Sequence, residues 1–510
     1  MSAHENLSGL VRSPGPSPKP LADVIALIAV ALTARMVVLH SLARLPWFDY
    51  PNVDSAVYAD MGRAFAHGDF LIGSAPLRMS PAYPYFLGAV YRALGDGAWP
   101  IRVVQAALGL VLVVLVWDTS RTLTGRRPAL IAGAIVALFG PSLFYEAQLL
   151  GDAPAATIAA LALWMMVHGV KRSETRAIWW GLTGFATGAV ALFRPNAILL
   201  AIPLASAVWI VPEGSRKRRL ALALAGFVLV LAALPVRNLL ATGRPTLFAA
   251  HGGINLYLGN GPGATGAFRI PDDVPKATGP IEQFAAFHSV AERAVGHALD
   301  AERADWYWAR RTVEYVGDDP GRWIALMLWK LKLFWNGSAV SDIEHYEFTR
   351  TLAFGLALPF VQWWVLMPLA MVGTILGWQD RGAIRVVALF NLALCASVVL
   401  VFVADRYRLV SLSGLAVAAA LPLSNARARW AVASHARRGA LVGVLVVSLF
   451  VAWPVRIVDS RADLWFRLAT GYERAGRLEE ARAAYDRVVD LRPDDSQARI
   501  RLQRLHGPTR

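Results

Sequence analysis

Apolar residues in this chain neither alternate nor fall in one narrow stripe; they come in nearly unbroken runs joined by polar connections. Runs long enough to cross a bilayer, roughly 20 residues each, lie at about 22–42, 100–119, 128–145, 153–169, 178–193, 196–211, 220–236, 356–377, 384–403, 408–424 and 439–455. Between them lie TSRTLTGRRP (119–128), VKRSETR (170–176), EGSRKRR (213–219), QDRGAIR (379–385) and NARARWAVASHARR (425–438). Every second connection is therefore rich in Lys and Arg, which places these five on the cytoplasmic side together with the N-terminal tail. The pattern predicts an all-α, polytopic membrane protein of about eleven transmembrane helices, with its C-terminus outside.

The alternate connections are external, and two of them are long. The first, about 43–99, contains PNVDSAVYADMGRAFAHGDF from Pro51 and then SPAYPYFLGAVYRALG (80–95). That second stretch is apolar but short for a span, and reads as a re-entrant or interfacial helix. The other loop, about 237–355, opens on HGGINLYLGNGPGATG (251–266) and continues through an amphipathic helix near 281–316. It ends at RWIALMLWKLKLFWNG (322–337), whose Trp and Lys residues suit a helix lying in the membrane interface.

The tail differs in kind. Trp465, Leu468, Ala469 and Tyr472 give W-x2-L-A-x2-Y, Ala481 and Tyr485 give A-x3-aromatic, and Pro493 closes the second helix. This is the tetratricopeptide pattern. One such repeat cannot bury its own apolar face, so it must pack on the membrane domain, on another copy or on an external protein partner. The expected division is a disordered cytoplasmic tail at 1–20, a membrane domain at 21–457 and an external repeat at 462–505.

Composition supports the membrane reading. Of 510 residues, 56% are hydrophobic and 17% charged, against about 25% charged in soluble domains. The first 20 residues, MSAHENLSGLVRSPGPSPKP, are polar and Pro-rich with no cleavage site after the apolar run, as in a retained tail. The single Cys395 rules out a disulfide framework or a Cys-based metal cluster. The formal charge of +15 is mostly the topology of the basic connections, which argues against nucleic acid as a partner.

Candidate chemistry gathers on the external side. On a helix starting at Asp54, the positions of Val57, Met61, Ala64 and Phe65 form one face, and Asp54 with Tyr58 falls beside it while Asp60, Arg63 and His67 lie opposite. A carboxylate on a packed side needs a partner or a task; it is either a helix N-cap or a reactive base. The turn FGPSLFYEAQLLGDAPAA (139–156) adds Glu146 and Asp152, the latter placed to cap the next span. Arg194, Arg237, Arg406 and Arg408 sit at external span ends and Arg78 in the first loop, against the positive-inside bias. Snorkelling or salt bridges account for any one of them. Together they point to an anionic ligand, since a guanidinium fork suits phosphate. GNGPGATG lacks the G-K-[ST] ending of a phosphate loop. No HxxxH or HExxH spacing supports a metal, and SDIEHYEF (341–348) reads as a solvated loop. A hard cation between Asp54 and Glu146 stays open.

Taken in order, these motifs resemble the GT-C membrane glycosyltransferases, in the branch of the protein O-mannosyltransferases and lipid A aminoarabinose transferases. The resemblance spans roughly 22–410. It rests on D-x3-Y (Asp54, Tyr58) followed by G-D-F, S-P-x-Y-P with Tyr83, the Y-E…G-D turn of Glu146 and Asp152, and F-R-P with Arg194. P-V-R-N with Arg237, G-x-N-L-x-x-G-N with Asn255 and Asn260, and R-Y-R with Arg406 and Arg408 complete it. Two departures stand out: Ser55 follows Asp54 where the family often has a second acid, and Arg78 stands in for a first-loop lysine.

The resemblance implies a sugar carried from a polyprenyl-phosphate donor to an acceptor hydroxyl of protein, lipid or glycan, at the outer face of a bacterial inner membrane, with no cofactor. Asp54 is then the expected base and Arg406, Arg408, Arg237 or Arg78 the expected phosphate ligands. Tyr58, Tyr83, Glu146, Asp152, Arg194, Asn255 and Asn260 are expected to line the substrate site. A lipid-linked oligosaccharide polymerase or ligase, a glycolipid transporter, and a membrane-anchored assembly factor are the competing readings.

Overall fold

The structure is a computed structural model that describes residues 20–77, 79–172, 176–211, 216–246, 251–277, 279–342, 345–378, 380, 382–424, 434–455 and 461–506. Among these residues the chain is helical throughout, without strands, and its only extended pairings are the bridges Phe139–Val361 and Ala267–Val403. The expected tail, Arg78 and much of the basic connections lie outside the described residues.

Each predicted run is occupied by apolar helix. α1 (Pro20–Leu42) leads into the first loop, which holds α2 (Val53–Ala66) and α3 (Ala82–Leu94). Then follow α4 (Ala98–Thr124), α5 (Arg126–Ala137), α6 (Gly140–Glu146), α7 (Asp152–Lys171), α8 (Ala177–Phe193), α9 (Ala201–Ile210), α10 (Arg216–Leu231) and α11 (Ala233–Thr242). The second loop carries α12 (Gly252–Asn260), α13 (Pro280–Val295), α14 (Ala301–Asp318), α15 (Pro320–Phe334), α16 (Tyr346–Leu352) and α17 (Phe354–Ala357). α18 (Trp363–Trp378), α19 (Ala383–Val399), α20 (Asp405–Leu409), α21 (Leu412–Ala420) and α22 (His435–Val451) complete the bundle. The terminal helices are α23 (Arg461–Arg474), α24 (Leu478–Leu491) and α25 (Ser496–His506).

Among the described residues, four helices have the length and hydropathy to cross a bilayer: α1, α4, α7 and the α10–α11 pair; five more are apolar but shorter. Where predicted runs break, local chemistry explains it. The 128–145 run divides at Phe139, which pairs with Val361 instead of continuing the helix. The 220–236 run kinks after Leu231, where Pro235 supplies no N–H and its ring crowds the carbonyl four residues back. The run at 408–424 is interrupted between α20 and α21 and is buried along almost its whole length, so it lies inside the bundle and presents little to its surroundings.

Helix direction places the polar groups. α1 begins beside Arg126, whose fork holds Asp23 at 2.7 and 2.8 Å, so its start lies with the basic connection between α4 and α5. Asp54 follows the far end of α1, Asp152 opens α7, Arg194 closes α8 and Arg406 follows α19. These groups therefore collect at the bundle end opposite the basic connections. The C-terminal repeat also docks at that end: Arg477 donates to the Arg44 carbonyl at 2.6 Å and Trp465 meets Phe348 edge-on at 5.3 Å between ring centres.

Candidate active site

α2 presents Asp54, Ser55, Tyr58, Ala59 and Gly62 to the interior, the face that its spacing predicted for Asp54 and Tyr58. Asp54 is not the N-cap; Asn52 holds that position, and no side chain caps the helix. Val53, immediately before it, has φ of +46°. A β-branched residue pays for that conformation, of order 1–3 kcal/mol, and such strain gathers at sites where a side chain must be aimed.

The partner of Asp54 comes from far along the chain. Arg406 Nη1 donates to Asp54 Oδ2 at 3.0 Å, and its Nε donates to Asp342 Oδ2 at 2.6 Å. One guanidinium thus bridges two carboxylates. A second pair stands beside it: Arg194 holds the fully buried Asp152. The ring of Tyr407 lies against both cations, 4.8 Å from the Arg194 guanidinium carbon and 5.3 Å from that of Arg406. Three carboxylates therefore face two guanidiniums. Burial pushes the Asp54 carboxyl above its ordinary range, and the Arg406 charge only partly offsets this.

Several polar atoms in this cluster lack partners. Asp342 Oδ1, Asp152 Oδ2, Arg194 Nε and the Tyr145 hydroxyl are buried without a hydrogen bond among the described residues, a condition that folds rarely tolerate without a reason. Asp54 is different: its side chain keeps 13% exposure, and Oδ1 takes no hydrogen bond from the described residues. It is the accessible carboxylate oxygen of the group.

The first loop is stitched to the same place. Ser80 N–H donates to the Tyr58 hydroxyl at 3.2 Å, and Ser80 Oγ donates to the Phe193 carbonyl at 2.6 Å, next to Arg194. Tyr83 packs edge-on to Tyr58 at 5.0 Å and donates to Gln105 Oε1 at 2.9 Å. Tyr58 and Tyr83 thus support the acidic helix, and their motif works as a clamp.

Four expected site residues are engaged elsewhere. Arg408 does not join Arg406: its guanidinium donates to the carbonyls of Asn336 at 2.7 Å and Ser338 at 2.8 Å, binds Asp405 and covers Trp363 at 4.2 Å. Arg237 donates to the carbonyls of Leu71, Ala75, Ile72 and Gly73, holding a turn in which Ile72 has φ of +51°. The terminal nitrogens of both forks are spent on these groups, Arg237 Nη1 also donating to Asn238 Oδ1 at 3.0 Å, and the one donor of Arg408 left over, its Nε, is buried. Glu146, expected to line the substrate site, is buried and ion-paired to Arg35 of α1 at 2.7 Å. Asn260 gives both amide hydrogens to the Leu256 and Leu400 carbonyls, and its oxygen accepts from Lys330 at 2.8 Å and Trp323 at 3.2 Å. Asn255 is half-buried on α12, and Arg78 lies outside the described residues.

Two residues escaped sequence reasoning. Asp342 sits in the stretch read as a solvated loop, yet it is buried and bonded to Arg406. Lys330 lies on the expected interfacial helix with its side chain buried, and burial brings its ammonium down to about 7. For Lys330 a signal existed: three residues before it, the helix places Met327, and three after it the buried Leu333, on one side.

Residues 76–237 match the family described as dolichyl-phosphate-mannose-protein mannosyltransferase, and residues 462–505 match the tetratricopeptide repeat. The matched segment runs from the Ser80–Tyr83 clamp through Asp152 and Arg194 to Arg237, and leaves Asp54, Asp342 and Arg406 outside it. Among solved structures, the oligosaccharyltransferase of Archaeoglobus fulgidus in complex with Zn and sulfate is 13% identical with a TM-score of 0.41, covering 90% of this chain and 56% of that one. ArnT from Cupriavidus metallidurans bound to undecaprenyl phosphate is 16% identical with a TM-score of 0.36, covering 81% and 80%. The chain spans little more than half the length of the archaeal enzyme. No curated protein matches it.

Proposed function

We propose that this protein transfers a monosaccharide from a polyprenyl-phosphate donor to an acceptor hydroxyl, with inversion, at the outer face of a bacterial inner membrane. The observation that carries the reading is the Asp54–Arg406–Asp342 arrangement: one accessible carboxylate oxygen beside a guanidinium, at the bundle end opposite the basic connections. The mannosyltransferase match over residues 76–237 supports the donor class. The basic connections, read as cytoplasmic, put the site outside. The tail at 1–20 is then cytoplasmic, the membrane domain covers 21–457 and the repeat at 462–505 is periplasmic.

In this scheme Asp54 Oδ1 takes the proton of the acceptor hydroxyl as its oxygen bonds to the anomeric carbon. The bond from that carbon to the phosphate oxygen breaks, and the electron pair leaves on the polyprenyl phosphate. A base must come within about 3 Å of the proton it removes. Sugar phosphates carry a leaving group that needs no general acid; it needs positive charge, which Arg406 and Arg194 supply. Tyr58 and Asp152 position Asp54 and Arg194, and the tetratricopeptide match at 462–505 suits an acceptor or partner that is itself a protein.

The test is a panel of radiolabelled polyprenyl-phosphate sugars, given to purified protein with native membrane acceptors, comparing wild type with Asp54→Asn. Transfer from one donor by wild type and its loss in the variant would support the assignment. If no donor is consumed, the reaction is wrong, and transport of lipid-linked glycans becomes the better reading.

A further inference from the structure

A cavity of about 250 Å³ opens between the chain after α12 and the helices α14 and α15. Its polar and aromatic wall comprises Asn260, Tyr315, Arg322, Trp323 and Trp329. No ion pair or hydrogen bond joins these side chains to Asp54, Arg194 or Arg406 among the described residues, so it is not part of the acid–arginine cluster.

The wall carries one charged side chain, Arg322, whose backbone N–H donates to Asp319 Oδ1 at 2.9 Å. The Arg322 guanidinium lies 5.7 Å from the Tyr315 ring, and no carboxylate stands within ion-pair distance of it or of Lys330 among the described residues. The Tyr315 hydroxyl is buried with no hydrogen-bond partner among the described residues. Asn260 offers nothing to a ligand, because all its polar atoms are already engaged, and Trp323 spends its N–H on it. What remains open is one hydroxyl donor, one guanidinium fork and the faces of the indoles. Outside the cavity, α15 exposes Ile324, Leu328 and Leu331, an apolar strip suited to acyl chains. A helix with Trp and Arg at such a border is how proteins meet lipid headgroups.

We infer that this cavity binds the phosphate of an anionic membrane lipid, with Arg322 and Tyr315 on the phosphate oxygens and the lipid tail along Ile324 and Leu328. The site stands on the cavity and its charge, and not on the transfer reaction. Occupancy would also steady the second loop, because the Lys330–Val401 bond at 2.7 Å and the Asn260–Leu400 bond at 3.0 Å tie its floor to the chain just before Arg406.

Native mass spectrometry of the purified full chain, titrated with phosphatidylglycerol or with phosphatidylcholine, reads this directly. Wild type should retain one phosphatidylglycerol in preference to phosphatidylcholine. Arg322→Ala should lower that retention about fivefold, the worth of one cation near a lipid phosphate, and Arg322→Lys should restore most of it. Tyr315→Phe, which leaves the charge intact, should lower it about tenfold through loss of a charge-assisted hydrogen bond. Equal retention of both lipids, or unchanged retention in Arg322→Ala and Tyr315→Phe, would overturn the site. Displacement of phosphatidylglycerol by an equal concentration of inorganic phosphate would overturn its assignment to a lipid. Circular dichroism of each variant separates loss of binding from loss of fold.

Discussion

Arg406 and Arg408 stand two residues apart in one R-Y-R motif, and their surroundings make them opposites. Arg408 is enclosed by the carbonyls of Asn336 and Ser338, by Asp405 and by the Trp363 ring, and its side chain is fully buried. Arg406 instead joins two carboxylates from distant loops, one of which keeps an oxygen open. The difference teaches that burial of a cation says little about its task. A fork spent on carbonyls and the neighbouring Asp405 holds the fold together, whereas the fork of Arg406 holds in place an acid that keeps one oxygen open.

The sharpest way to break this contrast is at Asp54. Asp54→Asn should lower kcat by about 10²–10⁴, the usual worth of a general base, with unchanged yield and helicity; near-normal turnover would remove it from the reaction. At Arg408 the loss should fall on the fold. Arg408→Ala strands Asp405 in the interior and should cost about 3–5 kcal/mol of stability, seen as a lower unfolding temperature in detergent. Any molecules that remain folded should keep their turnover.

Arg406→Lys is the sharper companion. A lysine cannot span Asp54 and Asp342 as a fork does, so transfer should fall about 10–100-fold, the worth of one charge-assisted hydrogen bond, while Arg408→Lys should leave the kinetics alone. Equal kinetic effects at the two positions would erase the distinction.

The pH profile tests the same carboxylate more gently. Burial raises the Asp54 pKa, and the base acts only when ionised, so the acid limb of kcat/KM should lie above the ordinary carboxylate range, with rate rising as pH rises. Its stability contribution runs the other way: the fold favours the protonated form, and that contribution fades as pH climbs through the raised pKa. An acid limb at the ordinary aspartate pKa would assign the limb to another group. The smallest effect is expected from Trp465→Ala, which should loosen repeat docking by about 0.5–1.5 kcal/mol through the lost ring contact with Phe348, read as faster proteolysis of the tail.

Much of this was legible beforehand. The apolar runs located the helices, the D-x3-Y spacing turned Asp54 and Tyr58 to one side, and the tetratricopeptide pattern marked the terminal hairpin. Less accessible were Asp342, hidden in a short polar stretch, and the pairing of Glu146 with Arg35. Neither has a local signature, because an Asp in a loop and an Arg in an apolar helix look alike whether paired or free. The first-loop turn held by Arg237 was equally invisible, since carbonyl acceptors belong to every residue.

The sequence by itself determined where helices form and which of their ends carry charge, because those depend on composition over about twenty neighbouring residues. Only the tertiary structure decided which arginine meets which acid. A guanidinium is the same group at position 406 as at 408; what separates them is whether its donors find carbonyls and the neighbouring Asp405 or a carboxylate brought in from 352 residues away.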